Sequence, residues 1–215
     1  MDPYLSIVIP IYNEEENIPA LWERLSKVMA ESFADPAKPW EIIFTDDGSR
    51  DRSLSMLIDL AKAEPRIKVV EFNRNYGQHS AIFGAFAEVQ GRIVVTLDAD
   101  LQNPPEEIPK LVAKVEEGYD VVGGWRQGRM QNDSLLRTLP SKIVNAVTRK
   151  TTGVALNDYG CMLRAYSRDV VEAMLLCKER HSFIPALANS FAKRIAEGPV
   201  GHAERAAGDS KYNLW

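Results

Sequence analysis

The chain has 215 residues, enough for one medium domain with a sizeable core. Hydrophobic residues make up 45% and charged residues 26%, which excludes a disordered chain, and a net charge of −4 supplies no basic field for nucleic acid. Two cysteines, Cys161 and Cys177, with no CxxC pattern exclude a disulfide scaffold or zinc cluster and fit reduced thiols.

Leu5–Pro10 (LSIVIP) is a continuous apolar run and predicts a first strand. Ile18, Leu21, Trp22, Leu25, Val28 and Met29 follow at helical spacing. Glu41–Thr45 predicts a second strand, and Leu54, Leu57, Ile58 and Ala61 mark the apolar face of a second helix. Ile67–Phe72 is a third strand, with Ile82, Ala85, Phe86 and Val89 on the helix after it. Ile93–Leu97 is a fourth strand, then a helix carrying Ile108, Leu111, Val112 and Val115, then a fifth strand at Tyr119–Gly123. Apolar strands alternating with amphipathic helices predict an α/β fold: a mostly parallel, Rossmann-like sheet with helices on both faces. After Gly123, "GWRQGRMQNDS" reads as a loop. Leu135, Leu139, Ile143 and Val147 then recur beside Arg137, Lys142, Arg149 and Lys150, an amphipathic helix with a basic side. An ordinary packed helix is the simpler reading of it, and a membrane-surface helix the sharper one. No run of 18 apolar residues occurs, so the sequence predicts no transmembrane helix, and the N-terminus lacks the basic region of a signal peptide.

In parallel sheets ligands sit beyond the carboxyl ends of the strands. That selects Tyr12 to Glu14, Asp46 and Asp47, Asn73 to Gly77, and Asp98 to Gln102. No glycine-rich phosphate loop follows the first strand, so a dinucleotide fingerprint and a P-loop are both excluded. In "TDDGSRD", Gly48 permits a tight turn, Ser49 or Asp51 can cap the next helix, and either aspartate can take hydrogen bonds from a base or ribose. In "DADLQNPPEE", Asp98 and Asp100 point the same way if the backbone is extended, and Gln102 continues the series. Hard oxygen ligands of this kind, completed by substrate phosphates, suit Mg²⁺ or Mn²⁺. The sixth and twelfth positions of the stretch are Asn103 and Pro109, which excludes an EF-hand. Asn103 is expected as N-cap of the following helix with Pro104 at its first position. His79, His181 and His202 lack ligand spacing and read as structural.

"IVIPIYNEEENIP", "TDDGSRD", "NRNYGQHSAI", "DADLQNPPEEIPKLV" and "DYGCMLRAY…HAER…SKY" together resemble the family 2 glycosyltransferases of GT-A fold. Within them the chain is similar to the polyprenyl-phosphate glycosyltransferases, most of all to those that transfer 4-deoxy-4-formamido-L-arabinose to undecaprenyl phosphate. The resemblance covers nearly the whole chain. It implies one catalytic domain with a nucleotide-sugar half (1–130) and an acceptor-side half (131–215). It implies that Pro10, Tyr12, Glu14 and Ala99 line the nucleotide pocket, that Asp47 contacts uracil, and that Arg126, just after the fifth strand, lies near the phosphates. Asp98, also set against the nucleotide, would with Asp100 and Gln102 hold Mn²⁺ or Mg²⁺. Asp100, Arg205 and Lys211 would serve the transfer itself, the two cations binding donor and acceptor phosphates.

The implied reaction is an inverting transfer from a UDP-sugar to a polyprenyl phosphate at the cytoplasmic face of a bacterial inner membrane, in lipid A or cell-envelope glycan modification. The membrane surface is the expected partner and nucleic acid is not; homo-oligomerisation is left open. "GGWRQGR" departs from the pattern expected around Arg126, so formamido-arabinose stands beside glucose, mannose and N-acetylhexosamine as the donor sugar. A nucleotide-binding module without turnover is one alternative. A family 2 enzyme acting on a hydroxyl, with Asp158 among the candidate bases, is another. Members of the group carry C-terminal membrane helices. This sequence ends at Trp215, where they would begin, so a shortened chain is expected.

Overall fold

A computed structural model describes residues 3–126, 156–177 and 183–203. The predicted basic helix with Lys142 and Arg149 lies outside the described residues, as do His181, Arg205 and Lys211. Seven strands form one sheet: β1 (Leu5–Ile11), β2 (Trp40–Asp46), β3 (Ile67–Glu71), β4 (Ile93–Thr96), β5 (Val121–Arg126), β6 (Arg164–Ser167) and β7 (Ile195–Val200). Their order is β3-β2-β1-β4-β6-β5-β7. All pairings are parallel except those of β6, which runs antiparallel to β4 on one side and β5 on the other.

The helices are α1 (Ile18–Ser32), α2 (Ser53–Ala63), α3 (Gln78–Phe86), α4 (Ile108–Glu116), α5 (Arg168–Leu176) and α6 (Ile184–Phe191). β1, β2 and β4 are buried along their whole length, which is why they read as unbroken apolar runs. The two-residue alternation still sorts their side chains. Ile7, Ile9, Ile42, Phe44 and Val95 pack with Leu21 and Leu25 of α1, Leu57 of α2 and Leu111 of α4. Val8, Ile43 and Val94 point the other way, to Ile82 and Phe86 of α3, Val171 of α5 and Leu187 of α6. The sheet is therefore covered on both faces.

Four local expectations change. Ile58 of α2 is exposed, so that helix packs on a narrower face centred on Leu57. Val89 is buried but lies beyond the end of α3. Asn103 does not cap a helix. Pro104 is extended (φ −63°, ψ 132°), because Pro105 after it disfavours helical backbone, so a 3₁₀ turn at Pro105–Glu107 comes first and α4 starts at Ile108. The fifth strand begins two residues late and runs on to Arg126, because β7 pairs with it residue for residue from Val121 to Arg126. Among the described residues no helix is long and apolar enough to cross a membrane.

Candidate functional site

The turns after β1 and β2 are bound to each other. Asn13, left-handed at φ 53°, donates its backbone N–H to Ser49 Oγ (3.0 Å) and accepts Arg50 N–H at its side chain (2.7 Å). Glu14 donates its N–H to Ser53 Oγ (2.8 Å), and its buried carboxylate accepts from the Asn17 amide. Ser53 is the first residue of α2. Asp51 serves that helix from outside its cap position, accepting the Ser53 N–H at 2.9 Å, while Ser49 is spent on Asn13. Pro10 is buried in β1. Tyr12 is half-buried and helps line a hollow of about 300 Å³ over the ends of β1, β2 and β3, with Asp46, Leu54, Glu71 and Arg74.

Asp47 is fully buried and its two oxygens accept the backbone N–H groups of Tyr76 (2.7 Å) and Gly77 (2.9 Å). The expected uracil ligand thus also fixes the loop between β3 and α3. Gly48 lets that loop close in: its φ is +70°, and a Cβ there would sit 2.5 Å from the Arg74 carbonyl carbon. Only glycine meets both conditions.

Asp98, Ala99 and Asp100 stand beyond β4, at the strand end expected from the sequence. They do not continue an extended strand. Leu101 is left-handed (φ 61°), and Gln102 turns its N–H back onto Asp100 Oδ1 (3.0 Å). Asp98, Asp100 and Gln102 therefore share a turn in place of one strand face. Gln78, the first residue of α3, donates Nε2 to Asp98 Oδ1 at 2.6 Å, a partner that sequence spacing does not reveal. Asp100 is buried, Asp98 half-buried, and the Gln102 carbonyl accepts the Ala203 N–H (2.9 Å).

Arg126 meets Asp158 in a two-pronged pair, Nε to Oδ2 at 2.6 Å and Nη2 to Oδ1 at 2.8 Å, with both side chains largely buried. Burial opposes the Arg126 charge, but the Asp158 hydrogen bonds and charge outweigh it and raise its pKa further. The carboxyl ends of β4 and β5 lie at the same edge of the sheet, because β6 runs antiparallel to both. Gly160 leaves room for the pair, since a Cβ there would be 3.1 Å from Arg126 Nη2. Beneath it, Cys161 is pushed up to about 11 by burial and stays a neutral thiol, with Sγ 3.6 Å from Asn103 Oδ1. His79 is held low by burial and lies against Phe183 (5.8 Å between centroids), in keeping with a structural role.

Among the described residues no three His, Cys, Asp or Glu side chains gather into a closed metal cage. Two carboxylates at a strand end, one of them oriented by a backbone N–H, are the donor set of an open site for a hard cation that takes its remaining oxygens from phosphates. The residues present fit Mn²⁺ or Mg²⁺ in that way.

The family model for glycosyl transferase family 2 matches residues 6–175. Over 211 residues, 98% of the chain, it is 54% identical to the undecaprenyl-phosphate 4-deoxy-4-formamido-L-arabinose transferase of Klebsiella pneumoniae. It is 53% identical over the same length to the protein of that name from Salmonella choleraesuis. The chain spans 63% of the length of each. Among solved structures it is similar to glucosyl-3-phosphoglycerate synthase of Mycobacterium tuberculosis with Mn²⁺, UDP-glucose and phosphoglyceric acid (TM-score 0.62, 22% identity, 94% of this chain and 73% of that one). It is also similar to S. aureus TarS with UDP-GlcNAc (TM-score 0.62, 21% identity, 97% and 61%). Those two likenesses carry the GT-A-like fold. The family match runs from the second residue of β1 to the last turn of α5 and takes in the carboxyl ends of β1 to β5; the chain belongs to glycosyl transferase family 2.

Proposed function

We propose that this chain is the catalytic domain of an inverting, metal-assisted transferase that moves a sugar from a UDP-sugar to a polyprenyl phosphate. Undecaprenyl phosphate and 4-deoxy-4-formamido-L-arabinose are the leading acceptor and sugar, and the names of the relatives at 53–54% identity support that pair. The observation that carries the proposal is the charge arrangement at one sheet edge: the Asp98–Asp100 turn beyond β4 and the Arg126–Asp158 pair at the end of β5, the strand parallel to it across β6.

The hollow over β1–β3 takes the nucleoside, with Tyr12 against the base; Asp47, fully buried, holds the loop that walls it through Tyr76 and Gly77, and only the family pattern assigns it to the uracil. Pro10, Glu14 and Ala99, all buried, are carried over from the family pattern as further residues of the nucleotide site. A Mn²⁺ or Mg²⁺ bound at Asp98 and Asp100, with Gln102 beside them, would neutralise charge building on the departing diphosphate. Arg126 spends two of its five N–H donors on Asp158, which fixes the guanidinium plane at the end of β5, and its other donors would meet the diphosphate.

The acceptor is a phosphate monoester with a second pKa of about 6, so it is largely dianionic at neutral pH and attacks the anomeric carbon without a strong base. Asp158, committed to Arg126, fits that reaction better than one needing it as a general base. Arg205 and Lys211 offset the repulsion between two anionic reactants and align them. The work is done at the cytoplasmic face of a bacterial inner membrane, where the lipid acceptor is reached. A screen of UDP-sugars with a short polyprenyl phosphate, with and without Mn²⁺ or Mg²⁺, tests this. Metal-dependent glycosyl polyprenyl phosphate supports it. UDP binding with no product from any donor would leave a nucleotide-binding module and refute it.

A further inference from the structure

Glu197 lies on β7, an edge strand, opposite Gly123 of β5. Its carboxylate accepts three hydrogen bonds from two consecutive residues. Oε2 takes the Asn157 backbone N–H at 2.6 Å and the Asn157 side-chain amide at 2.9 Å, and Oε1 takes the Asp158 N–H at 3.0 Å. Among the described residues Glu197 forms no ion pair, so its charge is directed to this one turn.

The turn is held from its other end as well. Arg164 is fully buried and donates Nη2 to the Asp158 carbonyl (2.8 Å) and Nε to the Cys161 carbonyl (2.9 Å). Gly123 makes room for it, since a Cβ there would lie 3.1 Å from Arg164 Nη1. Asp158 therefore has its N–H fixed by Glu197, its carbonyl fixed by Arg164, and its carboxylate shared between Arg126 and the Gly160 N–H (3.1 Å). A two-pronged ion pair is sensitive to small rotations of its carboxylate, because both bonds must stay near 2.6–2.8 Å at once. Arg164 sits in the core, and its loss would disturb the sheet at large. Glu197 is half-buried at the edge, and its side-chain hydrogen bonds among the described residues all go to the turn.

We propose that Glu197 is a positioning residue: by holding the Asn157–Asp158 backbone it sets the geometry in which Asp158 aims Arg126. Its effect on transfer rests on the function proposed above; its effect on the pair does not. The test is a double-mutant cycle for Arg126→Ala and Asp158→Ala, read by urea unfolding of the full chain, in the wild-type and Glu197→Ala backgrounds. The coupling, expressed as an equilibrium constant, is expected to fall at least about tenfold in Glu197→Ala, which is 1.4 kcal/mol. Glu197→Gln keeps one acceptor oxygen and should restore part of it, and it serves as the test background if Glu197→Ala does not fold. Coupling unchanged within about twofold in the background that folds would overturn the proposal.

With a donor in hand, Glu197→Ala should lower kcat/KM while the Glu197→Ala/Asp158→Ala double variant is no slower than Asp158→Ala alone. A residue that only stabilised the fold would give multiplying losses, and that result would also overturn it. Absence of turnover in the wild type speaks against the proposed transfer, whereas the unfolding cycle decides Glu197 by itself.

Discussion

Replacing Gly48 by alanine should damage the fold and the nucleotide pocket together. Two costs add. A non-glycine residue in left-handed backbone pays about 1–2 kcal/mol, and Gly48 has φ +70°. The new Cβ would also lie 2.5 Å from the Arg74 carbonyl carbon, 2.6 Å from its Cα and 2.8 Å from the Asn75 nitrogen, all backbone atoms that no rotamer change can move. The 73–77 loop must retreat, and forced overpacking of this kind costs about 1–3 kcal/mol. A loss of about 3 kcal/mol in a chain of this size lowers the thermal midpoint by about 6–12 °C. The same retreat pulls the Tyr76 and Gly77 N–H groups from Asp47 and opens the hollow that Gly48 and Arg74 line, so UDP affinity should fall at least about tenfold. Calorimetry and UDP titration measure the two effects. Gly48→Asn separates the causes: asparagine tolerates left-handed backbone but carries the same Cβ. It should be nearly as damaging as alanine. If Gly48→Asn behaves like the wild type, the close approach to Arg74 is not what requires glycine and the reasoning fails.

Two further predictions concern charge. Burial pushes the Glu41 pKa up, but Lys68, the Ser6 hydroxyl and the Gln90 N–H outweigh it and hold it below its ordinary value. Its contribution is therefore present above the unfolded pKa of about 4.3 and is lost as pH falls through the lower folded value. Urea midpoints measured from pH 6 downward should drop less steeply for Glu41→Gln than for wild type; parallel acid limbs would show that Glu41 does not contribute. Lys211→Ala should slow transfer well beyond its effect on UDP affinity, and unchanged turnover would remove Lys211 from the proposed mechanism.

The parallel half of the sheet was legible because β1, β2 and β4 are buried on both faces and write themselves as apolar runs. β6 and β7 were not. β6 is four residues long and starts with a buried Arg164 whose hydrogen bonds go to carbonyls of its own preceding turn, while β7 carries Glu197, Gly198 and Pro199 in place of an apolar pattern. At the site, the rule that ligands gather at strand ends selected Asp98 and Asp100, whereas Arg126 was reached only through the family resemblance. Neither revealed Asp158 as the partner of Arg126, since the two are 32 residues apart and Asp158 lies in the turn ahead of β6, a strand with no apolar run to mark it. Asn157-Asp158 ahead of Gly160 is turn chemistry, a weak signal that a fixed carboxylate stood there. Leu101 is the instructive miss at DADLQ: a left-handed leucine has no sequence signature, and it turns an apparent strand face into a turn that aims Asp100 by its own backbone.

The central claim is that the Asp98–Asp100 turn serves metal-assisted transfer from a UDP-sugar to a polyprenyl phosphate. The most direct measurement compares wild type with Asp100→Ala for glycosyl polyprenyl phosphate formed by the best donor, across a Mn²⁺ titration. Product that rises with Mn²⁺ in the wild type and is lost in Asp100→Ala, while the variant keeps its unfolding midpoint, is the predicted result. Equal product from the variant, or wild-type product indifferent to chelation of the metal, would contradict it.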